Sequence, residues 1–177
     1  MAAPDRVETA RLLLVRPQAN DANAIFARYS SDLEVTRYLG WPRHESVAET
    51  RAFLQLSEAE WTQSGCGPYL IWSRAGQLLG GTGLSLLNRE KAATGYVLAK
   101  DAWGLGYATE ALSAIVLVAG QICVKHLHAV CHVDHRASAH VLEKCGFKLS
   151  HIIQDQSFPN LTPSTSAALY YGRLLVP

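Results

Sequence analysis

The residues best placed by type and spacing to do chemistry are Trp103-Gly104-Leu105-Gly106-Tyr107-Ala108-Thr109-Glu110-Ala111. The two glycines permit a tight turn and keep side chains clear of an approaching ligand. The segment opens a nearly uncharged apolar stretch, so a helix should begin here. The free amides of a first helical turn, together with the helix dipole, favour an anion such as a pyrophosphate. Thr109 can add a hydroxyl donor. A lone G-x-G also serves ordinary strand-to-helix turns, so the motif by itself does not decide the matter. The chain has no P-loop, and Thr109 stands where a dinucleotide fingerprint needs its third glycine.

A second constellation is histidine-rich. His126, His128, His132, His135 and His140 fall within fifteen positions, and on a strand the first three share one face. A metal site would need converging ligands and supporting partners. No H-x-x-x-H on a helix and no paired cysteines provide them, so ordinary surface or cleft histidines and no metal are expected. Cys66, Cys123, Cys131 and Cys145 lack C-x-x-C spacing. Without a basic, apolar leader at Met1 to Asp5, they read as reduced thiols of a cytoplasmic protein. Trp61 and Trp72 fall in periodic elements and should be core.

The elements that must position these groups fit one domain spanning residues 1–177. Hydrophobic residues make up 49% and charged residues 18%, enough for a sizeable core. A net charge of +1 argues against nucleic acid held on a basic face. The longest uncharged run, between Glu110 and Lys125, is shorter than the ~18 apolar residues of a membrane span. Strands are expected at Arg11–Arg16, Tyr69–Ser73, Leu78–Leu87, Thr94–Ala99, His128–Val133, Phe147–Ile153 and Ala168–Leu174. Gly80, Gly81 and Gly83 should bend or bulge the third of these. Asn20 or Asp21 can cap a short helix through Tyr29, and a second helix should run from about Asp32 to Leu39. Ser46-Val47-Ala48-Glu49 has capping-box form and should open a longer helix ending near Gly65. A last helix from Ala137 to Cys145 should stop at Gly146. The class is α/β, helix-rich in its first third with a mixed sheet behind.

Three segments in this order and spacing resemble the GNAT acyltransferase superfamily, within it the branch that includes ribosomal-protein N-terminal acetyltransferases. They are Gly95-Tyr96-Val97-Leu98, the Trp103 to Ala111 loop, and Ser138-Ala139-His140-Val141-Leu142-Glu143-Lys144-Cys145-Gly146-Phe147. The resemblance covers nearly the whole chain. It implies a mixed, mostly antiparallel twisted sheet of about six to seven strands flanked by helices. It also implies acetyl-CoA as acyl donor and transfer to an amine by direct attack in a ternary complex. In such proteins the strand matching Gly95 to Leu98 splays from the His128 to Val133 strand and admits the pantetheine arm. Tyr96, Val97, Leu98, Trp103, Gly104, Leu105, Gly106, Tyr107, Ala108 and Thr109 would hold the coenzyme, and an amide of Val97 or Leu98 would polarise the carbonyl. Trp103 stands where the superfamily usually has Gln or Arg.

The resemblance also shows departures. The branch usually reads N-x-x-S before the last helix; here it is His135-Arg136-Ala137-Ser138. His135 therefore stands as a coenzyme contact, a catalytic base or an exposed histidine. Leu142 replaces a tyrosine that often protonates the departing thiolate, leaving Ser138, also expected to contact the coenzyme, as the candidate donor. Glu90, Asp134, His135 and a water relay are all open as the base. Tyr38 and Trp41, between the early helices, are expected to line the acceptor site. Acceptors from protein N-termini to small-molecule amines fit, and a homodimer is admitted. The competing reading is a non-catalytic acyl-CoA-binding or sensor domain; acetyl-CoA turnover with a panel of amines separates the two.

Overall fold

A computed structural model describes residues 2–175. Its sheet has eight strands: β1 (Arg6–Glu8), β2 (Leu12–Val15), β3 (Pro68–Ser73), β4 (Leu78–Leu86), β5 (Lys91–Leu98), β6 (His126–His132), β7 (Lys148–Ser157) and β8 (Thr165–Leu174). The order is β1-β2-β3-β4-β5-β6-β8-β7. Every neighbouring pair is antiparallel except β5 and β6. The expected architecture holds, with one strand more than the sequence suggested. Arg-Val-Glu is too short and too polar to announce β1 by its pattern, and β1 is defined by its pairing with β2.

The helices are α1 (Ala22–Ile25), α2 (Leu33–Thr36), α3 (Val47–Ser64), α4 (Tyr107–Gln121) and α5 (Arg136–Lys144). Their ends differ from the sequence expectation in three places. Asn20 does not cap α1; a 3-10 turn precedes it, and the Asp21 carboxylate reaches back to the Gln18 amide at 2.7 Å. Asp32 does cap α2, accepting from the amides of Glu34 and Val35, but the helix ends at Thr36 and leaves Tyr38 in the following turn. Ser46 precedes α3 without a side-chain bond, and Glu49 closes on the amide of Glu45 instead, one residue earlier than a capping box requires. Gly65 and Gly146 end their helices in the left-handed conformation, as expected of glycine there.

Adjacent residues of a strand point to opposite faces, so Leu70 and Ile71, or Leu78 and Leu79, feed two different cores. One gathers α4 with Leu142 of α5; the other lies under α1, α2 and part of α3. α4 is apolar nearly all round because it is covered on most sides. The bulge expected in β4 is present: Ile71 pairs with Gly80 and Trp72 with Leu78, leaving Leu79 over. A Cβ on Gly80 would collide with the Val97 carbonyl oxygen, so glycine there lets β4 and β5 close up. Trp61 is buried, and Trp72 is half-buried against the second core.

Glu110, the charged residue of α4, ties this helix to the start of β2. Its carboxylate accepts from the Thr9 hydroxyl at 2.6 Å, the Arg11 amide at 2.8 Å and Arg11 Nε at 2.6 Å. Burial pushes the Glu110 carboxyl up, but these donors outweigh it and hold the group below its ordinary value. Glu110→Gln should lower the unfolding free energy by about 1–3 kcal/mol at pH 7 in urea titrations. A depressed carboxyl contributes stability above its unfolded value that is lost as pH falls through the folded one. The difference between the two proteins should therefore shrink progressively below the ordinary value of 4.5.

Candidate functional site

The site begins where the sheet comes apart. β5 and β6 pair only at Lys91–His126, Ala92–Leu127 and Ala93–His128. Beyond Ala93, β5 stays on β4 as far as Leu98, while β6 stays on β8 as far as His132. The backbone of β5 alternates between its two edges. The Ala99 amide bonds Leu79, and the Gly95 carbonyl accepts from Thr82, so Gly95, Val97 and Ala99 face β4. Tyr96 and Leu98 therefore turn their backbone groups to the gap. Of the two amides named as carbonyl-polarising donors, the one that faces the opening is that of Leu98.

The glycine loop lies at the wide end of this gap. Gly104 and Gly106 both have left-handed backbone, at φ 74° and 79°. Gly106 is the N-cap of α4 and brings no side chain to cap it. Among the described residues, the amides of Tyr107, Ala108 and Thr109 find no acceptor, so the turn presents a row of unpaired donors. Trp103, the departure from consensus, donates its indole N–H to the Leu98 carbonyl at 2.8 Å and latches the loop to the end of β5. Arg11 does the same from the other side, bonding the Leu105 carbonyl at 2.9 Å and lying over the Tyr107 ring.

Ser138 and Tyr96 meet across the gap. The two hydroxyls are 2.9 Å apart, and the Tyr96 hydroxyl also lies 3.2 Å from the Ser138 carbonyl. Burial pushes the Tyr96 phenol well above its ordinary value, so it is a proton holder and donor at neutral pH. Leu142 is buried and lines the same cleft. His135 lies half-buried against Tyr38, ring centres 5.1 Å apart, and Tyr38 stacks in turn on His132 at 4.7 Å. Burial, with His132 beside it, lowers His135 below the ordinary imidazole value. His132 accepts the Asp134 amide on Nδ1 at 3.1 Å and meets Ser166 through Nε2 at 2.9 Å, so both of its ring nitrogens are occupied. Asp134 Oδ2 lies 3.8 Å from the same Nδ1.

Tyr96, Ser138, Leu142 and His135 line one cleft of about 790 Å³ that runs from the strand gap to the early helices; the Trp103 to Thr109 loop lies outside this lining. Tyr38 and Trp41 both line it, as does Cys131, whose thiol burial pushes up to about 11. Glu90 and Asp134 do not; Glu90 sits in the β4–β5 turn, ion-paired with Lys125 at 2.5 Å. Among the three side chains named as bases, only His135 faces the cleft. The five histidines do not converge, and among the described residues no three metal-ligating side chains do. All four cysteines are free, and no described helix is long and apolar enough to cross a membrane.

Two features of the cleft escape sequence reasoning. His44 enters its wall with Nδ1 2.8 Å from the buried Thr50 hydroxyl, which lies 3.4 Å from Ser30 Oγ. Burial lowers His44, against the opposing pull of Glu49. Asn160, in the β7–β8 loop, donates to the carbonyls of Thr36 and Trp41 and accepts the Arg43 amide, all within 2.9 Å. An isolated His and an isolated Asn carry no sequence signal: Asn160 acts on a segment 117 residues away in the chain, and His44 is positioned by Thr50 on α3. For His44 the nearest hint was its place beside Trp41-Pro42.

Residues 11–148 match the family described as acetyltransferase (GNAT) domain. The protein named uncharacterized N-acetyltransferase YoaA, from Bacillus subtilis, is 31% identical over 161 residues, covering 89% of this chain and 90% of that protein. Uncharacterized N-acetyltransferase p20 of Bacillus licheniformis is 23% identical over 151 residues, 83% and 84% of the two chains. In fold the chain is similar to the microcin C7 self-immunity acetyltransferase MccE in complex with acetyl-CoA and AMP, at TM-score 0.86 and 17% identity over 97% of each chain. It is also similar to the RimL ribosomal alpha-N-protein acetyltransferase in complex with coenzyme A, at TM-score 0.85 and 19% identity, over 99% of this chain and 98% of that one.

Asn160→Ala should lower stability by about 1–3 kcal/mol, since it strands the Arg43 amide and the Trp41 carbonyl, while the Thr36 carbonyl keeps the Leu39 amide. It should also broaden the amide resonances of residues 40–44 in NMR spectra while leaving those of α4 unchanged. A second measurement concerns His44: its imidazole should titrate below 6.5, and Glu49→Gln, which removes the carboxylate that raises it, should lower that value further.

Proposed function

Because the chain belongs to the acetyltransferase (GNAT) domain family, we propose that it moves an acetyl group from acetyl-CoA to an amine by direct attack. The observation that carries this reading is the parting of β5 from β6 beside the unpaired amides of α4. The gap offers strand backbone to an extended, amide-bearing pantetheine arm, and the amides of Tyr107, Ala108 and Thr109 offer donors to its pyrophosphate. Trp103, Gly104, Leu105 and Gly106 give the loop its shape. Acetyl-CoA supplies the activated thioester; the protein's own groups do the rest.

In this reading the amine enters from the side of Tyr38 and Trp41 and loses its proton to His135, held neutral by burial. The amine lone pair then forms the C–N bond, and the Leu98 amide stabilises the charge that develops on the carbonyl oxygen. The nitrogen then sheds its second proton as the C–S bond breaks, and that proton reaches the departing thiolate through Ser138, backed by the Tyr96 hydroxyl at 2.9 Å. The products are the N-acetylated amine and coenzyme A thiol. No acyl-enzyme is needed, and Cys131, with its thiol raised to about 11, is not a nucleophile at neutral pH. The reading places the protein in the cytoplasm, in keeping with its free cysteines. A homodimer would use a surface away from the cleft, where Leu149 and Ile152 of the edge strand β7 are about half exposed at 52% and 51%.

Calorimetric titration with acetyl-CoA, coenzyme A and desulfo-CoA tests the first step. Micromolar binding is expected, weakened at least about tenfold by Gly106→Leu, which forces a branched side chain into left-handed backbone at the N-cap. Absence of binding by the folded protein would sink the reading. For the second step, Ser138→Ala should lower kcat about 100-fold with little change in the KM for acetyl-CoA. His135→Asn should remove the low-pH limb of the rate profile; if that limb survives, His135 is not the base.

A further inference from the structure

We propose that the acceptor is an arylalkylamine: a primary amine on an aromatic, apolar body that carries no anionic group. The inference rests on the acetyl-transfer reading of this cleft and deepens it. Its acceptor half is walled by Leu39, Trp41, Phe53, Leu56 and Phe158. Trp41 is tethered by Asn160, and its ring lies 5.3 Å from that of His44, which in turn lies 6.4 Å from Phe53. An aromatic body of the acceptor would find rings on more than one side there.

The charges around this half decide between amines. The charged residues lining the cleft are Glu49 and Glu60, with no lysine or arginine among them. Two arginines adjacent in sequence to cleft residues are engaged elsewhere. Arg43 bonds the Ser31 carbonyl and pairs with Glu45, and Arg37 lies over the Tyr38 ring at 5.1 Å. His44 and His135 are held neutral by burial and supply no cation. A carboxylate or phosphate on the acceptor would therefore lose its water and meet no counter-charge, a cost well above that of an apolar group in the same place. Free amino acids and nucleotides are disfavoured on this ground. A polyamine is disfavoured by the opposite shortfall. It needs several carboxylates, and one oxygen of Glu49 is already bound by the Glu45 amide at 2.9 Å. A single ammonium on an aromatic body suits the site: Glu49, Glu60 and the Trp41 face attract it, and it sheds its proton only on reaching the thioester.

The probes are 2-phenylethylamine, tryptamine, phenylalanine, spermidine and a short peptide with a free N-terminal serine, each with saturating acetyl-CoA. Phenylalanine differs from 2-phenylethylamine by its carboxylate alone. The aromatic amines should show kcat/KM at least about tenfold above that of the other three. Trp41→Ala should raise the KM for tryptamine about tenfold and leave acetyl-CoA affinity unchanged. Better turnover of phenylalanine, spermidine or the peptide would overturn the assignment, as would acetyl-CoA binding without turnover of either aromatic amine. Failure to bind acetyl-CoA is a different result, which overturns the acetyl-transfer reading itself.

Discussion

The structure depends on one interrupted ladder. β5 and β6 are the only parallel neighbours in the sheet, and they hydrogen-bond over three residue pairs before separating. A sheet interior does not normally leave strand edges unpaired, because each exposed amide and carbonyl forgoes a bond. Here the loss is contained by what surrounds the opening. The Leu98 carbonyl is satisfied by the Trp103 indole, and the Tyr96 hydroxyl reaches across to Ser138. The parallel relation also requires a crossover, and that crossover is α4. The helix whose first turn offers unpaired amides is thus placed beside the gap by the same topology that makes the gap. Loop, opening and hydroxyl pair are consequences of a single change in strand partnership.

The acceptor half is assembled by a different kind of constraint. α1 and α2 have four residues each and cannot fix a loop by their own stability. The segment from Leu39 to His44 is instead held from outside, by Asn160 at one end and by the Thr50 hydroxyl and Ser30 carbonyl at the other. These contacts come from the β7–β8 loop, from α3 and from the turn after α1. This wall of the cleft is therefore coupled to the far edge of the sheet, whereas the glycine loop is coupled to β2 through Arg11, Thr9 and Glu110. The cleft wall and the glycine loop rest on separate supports.

This division explains what could be read from the sequence. The strand and helix runs were legible because their apolar periodicity is local, and the glycine loop because positive φ demands glycine at Gly104 and Gly106. The resemblance named the splayed strands, and the ladder of β5 stops where it implied. β1 was missed because three polar-flanked residues have no periodicity; its partner makes it a strand. The Ser46 box was misread because the motif specifies residue types, while the geometry let Glu49 reach the Glu45 amide instead. Tyr96 was assigned to the coenzyme, but its pairing with Ser138 depends on how far β5 and α5 stand apart. Asn160 and His44 have no local signature at all, since their partners lie on other elements.

Burial imposes one sign on the whole cleft. The Tyr96 phenol and the Cys131 thiol are pushed up, and the His44 and His135 imidazoles are pushed down. Each shift favours the uncharged form, because a half-enclosed apolar space solvates ions poorly. At neutral pH the groups facing the strand gap are therefore a phenol, a thiol, a serine hydroxyl and a neutral imidazole. The carboxylates of Glu49 and Glu60 lie on the far side, on α3. An ammonium arriving past those carboxylates moves from a region that favours its charge into one that does not. The same desolvation that lowers His135 would lower any amine brought beside it. Carboxylates and neutral groups are thus kept at separate ends of the cleft.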